Sequence, residues 1–183
     1  VMEAAAENNV EVIVLDRPNP HDGYIDGPVL KNQWKSFVGM HQIPVVYGLT
    51  IGEYGKMVNG EKWLDKGIQA KYTLVPMQGY HKKQRYEMSD KPSPNLPNDQ
   101  SINLYPSLCF FEGTQVSVGR GTNLPFQIYG SPWTKDLPYQ FTPKPSAGAK
   151  DPFLNGKLCY GENLAEYPED LRGLNIDWLL KAF

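Results

Sequence analysis

The residues best suited to chemistry lie between Leu108 and Phe126, in the stretch LCFFEGTQVSVGRGTNLPF. This stretch contains an apolar run, a carboxylate at Glu112, and a guanidinium at Arg120 with a glycine on each side. Glycine reaches positive φ without steric cost, so the backbone around Arg120 can turn tightly and approach a ligand. A planar guanidinium suits carboxylate or phosphate oxygens. However, an Arg120–Glu112 ion pair that only stabilises a turn explains the same residues, and the residues alone favour that interpretation.

Other polar residues lie at the ends of predicted elements or in the loops between them. They are Asp16, Arg17, Asn19, Tyr47, Glu53 and Asn95. Carboxylates, amides, an arginine and aromatic rings together suit a hydroxyl-rich ligand that can carry a negative charge. Each of these residues also has a structural explanation. Asp16 and Arg17 can pair with each other or cap a turn, and Asn95 can brace its own loop through Asx-type bonds.

Aromatic side chains offer a further alternative. Tyr47 and the segment Trp34–Phe37 could stack on a sugar ring, whereas aromatic residues more often belong to a core. The sequence leaves both interpretations open.

The first half of the chain alternates helical and strand patterns. Its opening residues predict the end of a helix, and the β-branched run Val10–Asp16 predicts a strand covered on both faces. Asp16 would then lie at the carboxyl end of a strand, where open α/β sheets bind ligands. Ile43–Val46 and Lys71–Met77 predict two more strands, and Arg17–Gln42 reads as a long loop.

Thr50 and Glu53 form the pattern of a capping box. The Thr50 side chain can accept from the amide of residue 53 while Glu53 reaches back to the amide of Thr50. A helix is therefore predicted from this point to about Asn59, ending at Gly60. The cap explains Glu53 without any catalytic role.

The pattern changes after Met88. Prolines predict an extended connector over Met88–Ser101, and those between 143 and 152 favour edge or meander strands. The predicted short strands are Pro125–Tyr129, Tyr139–Thr142 and Lys157–Tyr160. An amphipathic helix is predicted over 168–183. The fold class is α/β, with a candidate domain boundary after Met88.

Charge and composition argue against several classes of protein. The formal net charge is -2 and no basic stripe occurs, so nucleic acid is not an expected partner. No apolar run approaches the roughly 20 residues that cross a bilayer, so no membrane span is predicted. Two cysteines and scattered histidines give no metal-ligand spacing, and no glycine-rich phosphate loop follows a predicted strand. We predict no metal and no other cofactor.

Sequence blocks that occur in order over most of the chain, from Val10 to about Asn163, suggest a family. They are VLDRPNP, SFVGMHQIPVVYGLTIGEYGKMVNGE, PSPN, LYPSLCFFEGTQVSVGRGTNLPF, and FTPKPSAG with KLCYGENL. Together they resemble the exo-β-N-acetylmuramidase family of NamZ proteins. One departure is Tyr47, which stands where the family usually has a histidine before its Gly-(Leu/Met)-Thr block.

The resemblance implies a bacterial glycoside hydrolase that releases terminal N-acetylmuramic acid from peptidoglycan-derived muramyl saccharides in cell-wall recycling. It also implies an architecture: residues 1–88 as the C-terminal part of a Rossmann-like parallel-sheet domain, and residues 89–183 as a smaller α+β domain with short strands. The family's active-site cleft is associated with the junction of its two domains. A periplasmic or secreted location is the corresponding expectation.

Glycosidases usually work with two carboxyl groups that flank the scissile bond. The family has its favoured proton donor in a Glu-His-Gly motif, which is absent here, so we expect this chain to start after the first half of the catalytic domain. Glu112 and Asp16 are then the first candidates for the second carboxylate, and Glu53 is the next. Arg120 is the candidate for the lactyl carboxylate of muramic acid. The remaining candidate substrate contacts are Arg17, Asn19, Tyr47 and Asn95.

A non-catalytic peptidoglycan-binding or scaffolding module is the alternative function, because such a module would keep a sugar groove without turnover. The sequence does not separate the two. An incomplete sheet leaves an unpaired edge, so we also expect association with a missing N-terminal part or a homodimer.

Overall fold

A computed structural model describes residues 1–82, 84, 86–168 and 172–183. The chain divides into two compact units, Val1–Tyr86 and Glu87–Phe183. Among the described residues, no helix combines the length and the apolar character that crossing a membrane requires.

The first unit combines short helices with two small sheets. Its helices are α1 (Met2–Glu7) and α2 (Ile51–Gly60), and its strands are β1 (Glu11–Leu15), β2 (Asp26–Val29), β3 (Pro44–Val46) and β4 (Lys71–Val75). Strands β1 and β4 pair in parallel, whereas β2 and β3 pair antiparallel. Parallel strands need a crossover connection, and α2 lies within the one that joins β1 to β4.

Two expectations for the first unit are wrong, although its three predicted strands and the capped helix are confirmed. The described residues do not cover β1 on both faces, since Ile13 and Leu15 are 59% and 70% exposed. Its one paired strand among the described residues is β4. The predicted loop Arg17–Gln42 contains β2 and a short 3-10 helix, Asn32–Trp34. Pairing with β3 stabilises β2 even though its sequence, DGPV, has a low strand propensity.

The second unit packs helices and a small antiparallel sheet around one main cluster. Its elements are α3 (Asp99–Leu108), the 3-10 helix Cys109–Gly113, β5 (Ile128–Ser131), β6 (Tyr139–Phe141), β7 (Cys159–Asn163) and α4 (Asp177–Ala182). The sheet order is β5-β7-β6, so the three predicted short strands are confirmed with shifted ends. The cluster includes Leu104, Leu108, Phe111, Phe126, Tyr129 and Trp178.

Helix α3 corrects the predicted connector. The extended segment expected over Met88–Ser101 gives way to α3 at Asp99. Asn98 caps α3: its side chain accepts from the Ser101 amide at 2.9 Å, and the Ser101 hydroxyl accepts from the Asn98 amide at 3.3 Å. A serine thus takes the place that glutamate or glutamine has in the usual capping box. In the predicted C-terminal helix, residues 169–171 lie outside the described residues and α4 covers only Asp177–Ala182.

Candidate functional site

Asp16 follows β1 and links it to the start of α2. Its Oδ2 accepts from the Thr50 hydroxyl at 2.7 Å, and its Oδ1 accepts from the Gly52 amide at 2.9 Å. Oδ1 also accepts from the backbone amide of Arg17 at 3.0 Å, so this contact uses the backbone of Arg17 rather than its guanidinium. The Arg17 residue itself is exposed. Both carboxylate oxygens of Asp16 therefore bind donors of the protein's own backbone and side chains.

Glu53 is held from two sides. The predicted capping box is confirmed: Glu53 Oε2 accepts from the Thr50 amide at 3.0 Å, and Thr50 Oγ1 accepts from the Glu53 amide at 3.2 Å. Lys82 Nζ lies 2.7 Å from the same Oε2 and also contacts the Gly48 carbonyl oxygen at 3.3 Å. Because Asp16 and Glu53 already bind amides of its first turn, the N-terminus of α2 is not arranged to receive an external anion.

Asn19 braces the loop after β1. Its Nδ2 donates to the Leu49 carbonyl at 2.8 Å, and its Oδ1 accepts from the His21 amide at 2.9 Å. The Tyr80 hydroxyl donates to Asp22 in the same loop. Burial and that hydrogen bond raise the pKa of Tyr80 to about 12, so it remains a neutral donor at physiological pH. The side chain of Asn19 is therefore engaged in structural contacts.

Tyr47 forms part of the wall of a groove of about 670 Å³. Its ring centroid lies 5.4 Å from that of Tyr54, whose hydroxyl is hydrogen-bonded to His41 Nδ1. Burial raises the pKa of Tyr47 and lowers that of His41. Trp34 and Phe37 are 69% and 92% exposed, so this aromatic segment is not core. Of the two interpretations, core packing and stacking on a sugar ring, stacking is therefore the one that remains for this segment.

In the second unit, Glu112 and Arg120 form the ion pair that the sequence suggested. Arg120 Nη2 donates to Glu112 Oε2 at 2.7 Å, and the guanidinium lies 5.2 Å from the centroid of the Phe126 ring. The two side chains are 34% exposed for Glu112 and 43% exposed for Arg120. Glu112 lies at a surface beyond the buried Phe111. The pair is thus half-open to solvent, with its cation backed by an aromatic ring.

The turn that carries Arg120 depends on its glycines. Gly119 and Gly121 have φ values of 78° and 81°, which confirms the predicted tight turn. A Cβ on Gly121 would lie 2.5 Å from the Lys144 carbonyl oxygen. Arg120 Nε is buried and has no hydrogen-bond partner among the described residues. Beside the pair, burial and the Glu112 charge raise the pKa of Tyr105.

Asn95 connects two loops of the second unit. Its Nδ2 donates to the Gly148 carbonyl at 2.9 Å, so the expected Asx bracing of its own loop is wrong. The Ser93 hydroxyl stabilises this loop instead, because it accepts from the Asn95 amide at 3.2 Å. The partner Gly148 lies 53 residues away in sequence, which no local pattern reveals.

The candidate residues therefore separate into two groups. Asp16, Asn19 and Glu53 gather around the start of α2 in the first unit, while Glu112 and Arg120 meet in the second. Sequence reasoning missed contributors to both groups: Lys82, Tyr80 and Asp22 in the first, and Tyr105 in the second. No pattern in the sequence points to Lys82. Tyr105 lies one helical turn before Cys109, just ahead of the stretch that contains Glu112 and Arg120.

Replacing Asp16 with alanine should lower the free energy of unfolding by about 2 kcal/mol, because it leaves the Gly52 amide and the Thr50 hydroxyl without their charged acceptor. Urea denaturation measures this change. The matched control, Arg17→Ala, alters an exposed neighbour and should stay within about 0.5 kcal/mol of the unmodified protein. Equal stabilities for the two variants would contradict the linking role of Asp16.

The two units together define a mixed α/β protein whose polar side chains gather at the ends of its elements. Residues 1–100 match the family profile described as "Exo-beta-N-acetylmuramidase NamZ, N-terminal", and residues 103–173 match "Exo-beta-N-acetylmuramidase NamZ, C-terminal". The chain belongs to the NamZ family.

Relatives of the chain include one curated protein and two solved structures. The protein named peptidoglycan beta-N-acetylmuramidase NamZ from Bacillus subtilis (strain 168) is 41% identical over 148 residues, which are 77% of this chain and 34% of that protein. A crystal structure of a DUF1343 family protein from Bacteroides fragilis NCTC 9343 has a TM-score of 0.97 and 46% identity, covering 100% of this chain and 53% of its own. A second DUF1343 structure from that strain has a TM-score of 0.74 and 32% identity, covering 88% and 46%. The chain thus spans about a third of the curated relative and about half of each solved chain.

Proposed function

We propose that the protein carrying this chain is a glycoside hydrolase that releases terminal N-acetylmuramic acid from peptidoglycan fragments, as a step of cell-wall recycling. The observation that carries the proposal is the match of both halves of the chain, in order, to the two NamZ family profiles. The name of the Bacillus subtilis relative describes the same activity. Because the substrate comes from peptidoglycan, the corresponding location is periplasmic or secreted.

Glu112 is the preferred second carboxylate of the three candidates. Asp16 and Glu53 are engaged in holding the start of α2, so removing their charge would first disturb structure. Glu112 pairs with Arg120, lies beside Tyr105 and is partly open to solvent. A carboxylate in that setting can act on water as a base or attack the sugar directly. The proton donor is assigned to the family's Glu-His-Gly motif, which this chain does not contain.

Arg120 is proposed to bind the lactyl carboxylate of muramic acid. Its guanidinium presents five donors, and the structure uses one of them, on Nη2, for Glu112. A planar fork can hold a second carboxylate bidentately, which an ammonium group cannot. Arg17, Asn19, Tyr47 and Asn95 stay candidates for substrate contact, of which Tyr47 is the one that lines an open groove.

Arg120→Lys should therefore lower kcat/KM for a muramide by about 10- to 100-fold, mostly through KM, since the charge is kept and the bidentate geometry is lost. Steady-state kinetics on the intact protein measure the effect. Arg172→Lys, at an exposed arginine of the same unit, is the matched control and should leave both constants unchanged. Normal kinetics for Arg120→Lys would remove this residue from the binding role.

The proposal extends to the domain architecture of the chain. The parallel pair of β1 and β4, with α2 in the crossover, is the arrangement expected for part of a Rossmann-like sheet in residues 1–88. The antiparallel sheet and short helices of the second unit fit the smaller α+β domain proposed for residues 89–183.

Hydrolysis of a chromogenic N-acetylmuramide by the intact protein tests the proposed function. Release of the chromophore is the expected result, together with free N-acetylmuramic acid. Binding of the sugar without release would instead support a non-catalytic peptidoglycan-binding or scaffolding module. If the protein neither binds nor releases the sugar, both assignments fail.

A further inference from the structure

The groove of the first unit has the dimensions of a ligand site. Its volume of about 670 Å³ lies within the range of roughly 300–1,000 Å³ typical of small-molecule sites. Residues of β2, of β3 and of the loop that joins them form most of its wall, and Tyr54 of α2 completes it. Its lining side chains include Lys31, Trp34, Met40, His41, Tyr47 and Tyr54.

Aromatic rings with polar tips make this wall suitable for a sugar. Trp34 lines the groove and is 69% exposed, so most of its surface is not packed against the described residues. Tyr47 and Tyr54 lie 5.4 Å apart, and the His41 ring lies 5.7 Å from Tyr54. Such rings combine an apolar face, which can cover the C–H face of a sugar, with a polar edge that can hydrogen-bond its hydroxyls.

The charges around the groove favour a neutral or anionic ligand over a cation. Among the described residues that line the wall, Lys31 is the one with a permanent charge. Burial, and after it the charge of Lys35, lowers the pKa of His41, while the charge of Glu3 acts in the opposite direction. A hexosamine with a free amine carries an ammonium group and would meet Lys31. Its N-acetylated form is neutral, and its methyl group suits apolar side chains such as Met40.

We propose that this groove binds an N-acetylated hexosamine ring of the glycan, at a position distinct from the terminal residue that is released. The inference rests on the proposed function for its choice of glycan. In this proposal the Trp34 ring stacks on the sugar. Tyr47 also contacts the sugar, which is one of the two roles that the sequence left open for it.

Calorimetric titration of the intact protein with di-N-acetylchitobiose, without turnover, tests the proposal. The unmodified protein should bind this ligand at least tenfold more tightly than the deacetylated glucosamine dimer. Trp34→Ala should weaken binding at least tenfold, because a sugar loses its stacking surface. Phe37→Ala is the matched control: Phe37 belongs to the same loop and is 92% exposed but does not line the groove, so binding should change less than twofold.

Several results would overturn the assignment. Equal losses for Trp34→Ala and Phe37→Ala would indicate a non-specific apolar surface, and equal affinities for the two dimers would remove the charge argument. Absence of binding with self-association that Trp34→Ala abolishes, seen by sedimentation, would make the groove an interface between copies. Turnover of the chromogenic muramide by the unmodified protein separates the two proposals. Turnover without dimer binding rejects the groove alone, and dimer binding without turnover rejects the hydrolase alone.

Discussion

Replacing Glu112 with glutamine is expected to lower kcat/KM for muramide hydrolysis by about 10²- to 10⁴-fold, the range for loss of a catalytic acid–base group. Glutamine has nearly the same shape, and its amide oxygen can still accept from Arg120. However, an amide cannot take a proton from water or attack the sugar as a carboxylate does. Because a half-exposed ion pair contributes little to folding, the free energy of unfolding should change by less than about 1 kcal/mol.

Glu166→Gln provides the matched control for this prediction. Glu166 is an exposed glutamate of the same unit, so its substitution removes the same charge without touching the Arg120 pair. Steady-state kinetics and urea denaturation of both variants separate catalysis from folding. Glu112→Gln with at least half of the normal kcat/KM would show that Glu112 is only the turn-stabilising partner of Arg120.

Gly161→Ala is expected to cost the second unit more than about 4 kcal/mol of stability, a loss that marks a defined structural clash. Gly161 is opposite Gly130 in the β5–β7 ladder and is buried. A Cβ at this position would overlap the Tyr129 carbonyl oxygen, and the atoms in the way belong to the backbone. The two strands would have to separate, which would also disturb the fully buried Tyr129.

Urea denaturation and the yield of soluble protein measure the effect of Gly161→Ala. Gly113→Ala is the matched control, since a Cβ there meets nothing within 4 Å and the residue has no positive φ. We expect it to stay within about 1 kcal/mol of the unmodified protein. A folded Gly161→Ala protein of normal stability would contradict the close approach of β5 and β7.

Elements with strong local signals could be predicted from the sequence. The β-branched run before Asp16 identified β1, and the Thr50–Glu53 pattern identified the start of α2. Elements whose stability comes from tertiary partners could not. Strand β2 contains a glycine and a proline, and α3 contains Pro106 and begins with a serine-based capping box, so neither has an ordinary local pattern.

The difference between local signals and tertiary contacts also explains which parts of the candidate site could be predicted from the sequence. Glu112 and Arg120 are eight residues apart across a glycine-rich turn, and their pairing was anticipated. Asp16 and Thr50 are 34 residues apart, so the contact between them depends on how β1 and α2 pack. Exposure depends on the neighbours of an element as well, which is why the strand pattern gave the wrong burial for Ile13 and Leu15.

The sequence does not decide whether Trp34 belongs to the core or to a ligand site, and the exposure of Trp34 in the structure bears on that choice. An aromatic residue in a sequence is more often core than ligand-binding. At 69% exposure, Trp34 instead lies on the wall of a groove and not in the core of the described residues. Local sequence does not carry this information because burial is a property of the packed chain.

The most direct test of the account is product analysis after the intact protein acts on a peptidoglycan saccharide of defined length that ends in N-acetylmuramic acid. We expect a single released sugar, N-acetylmuramic acid, and a remaining saccharide that is one residue shorter. Products from internal cleavage, or no cleavage at all while the saccharide stays bound, would contradict it.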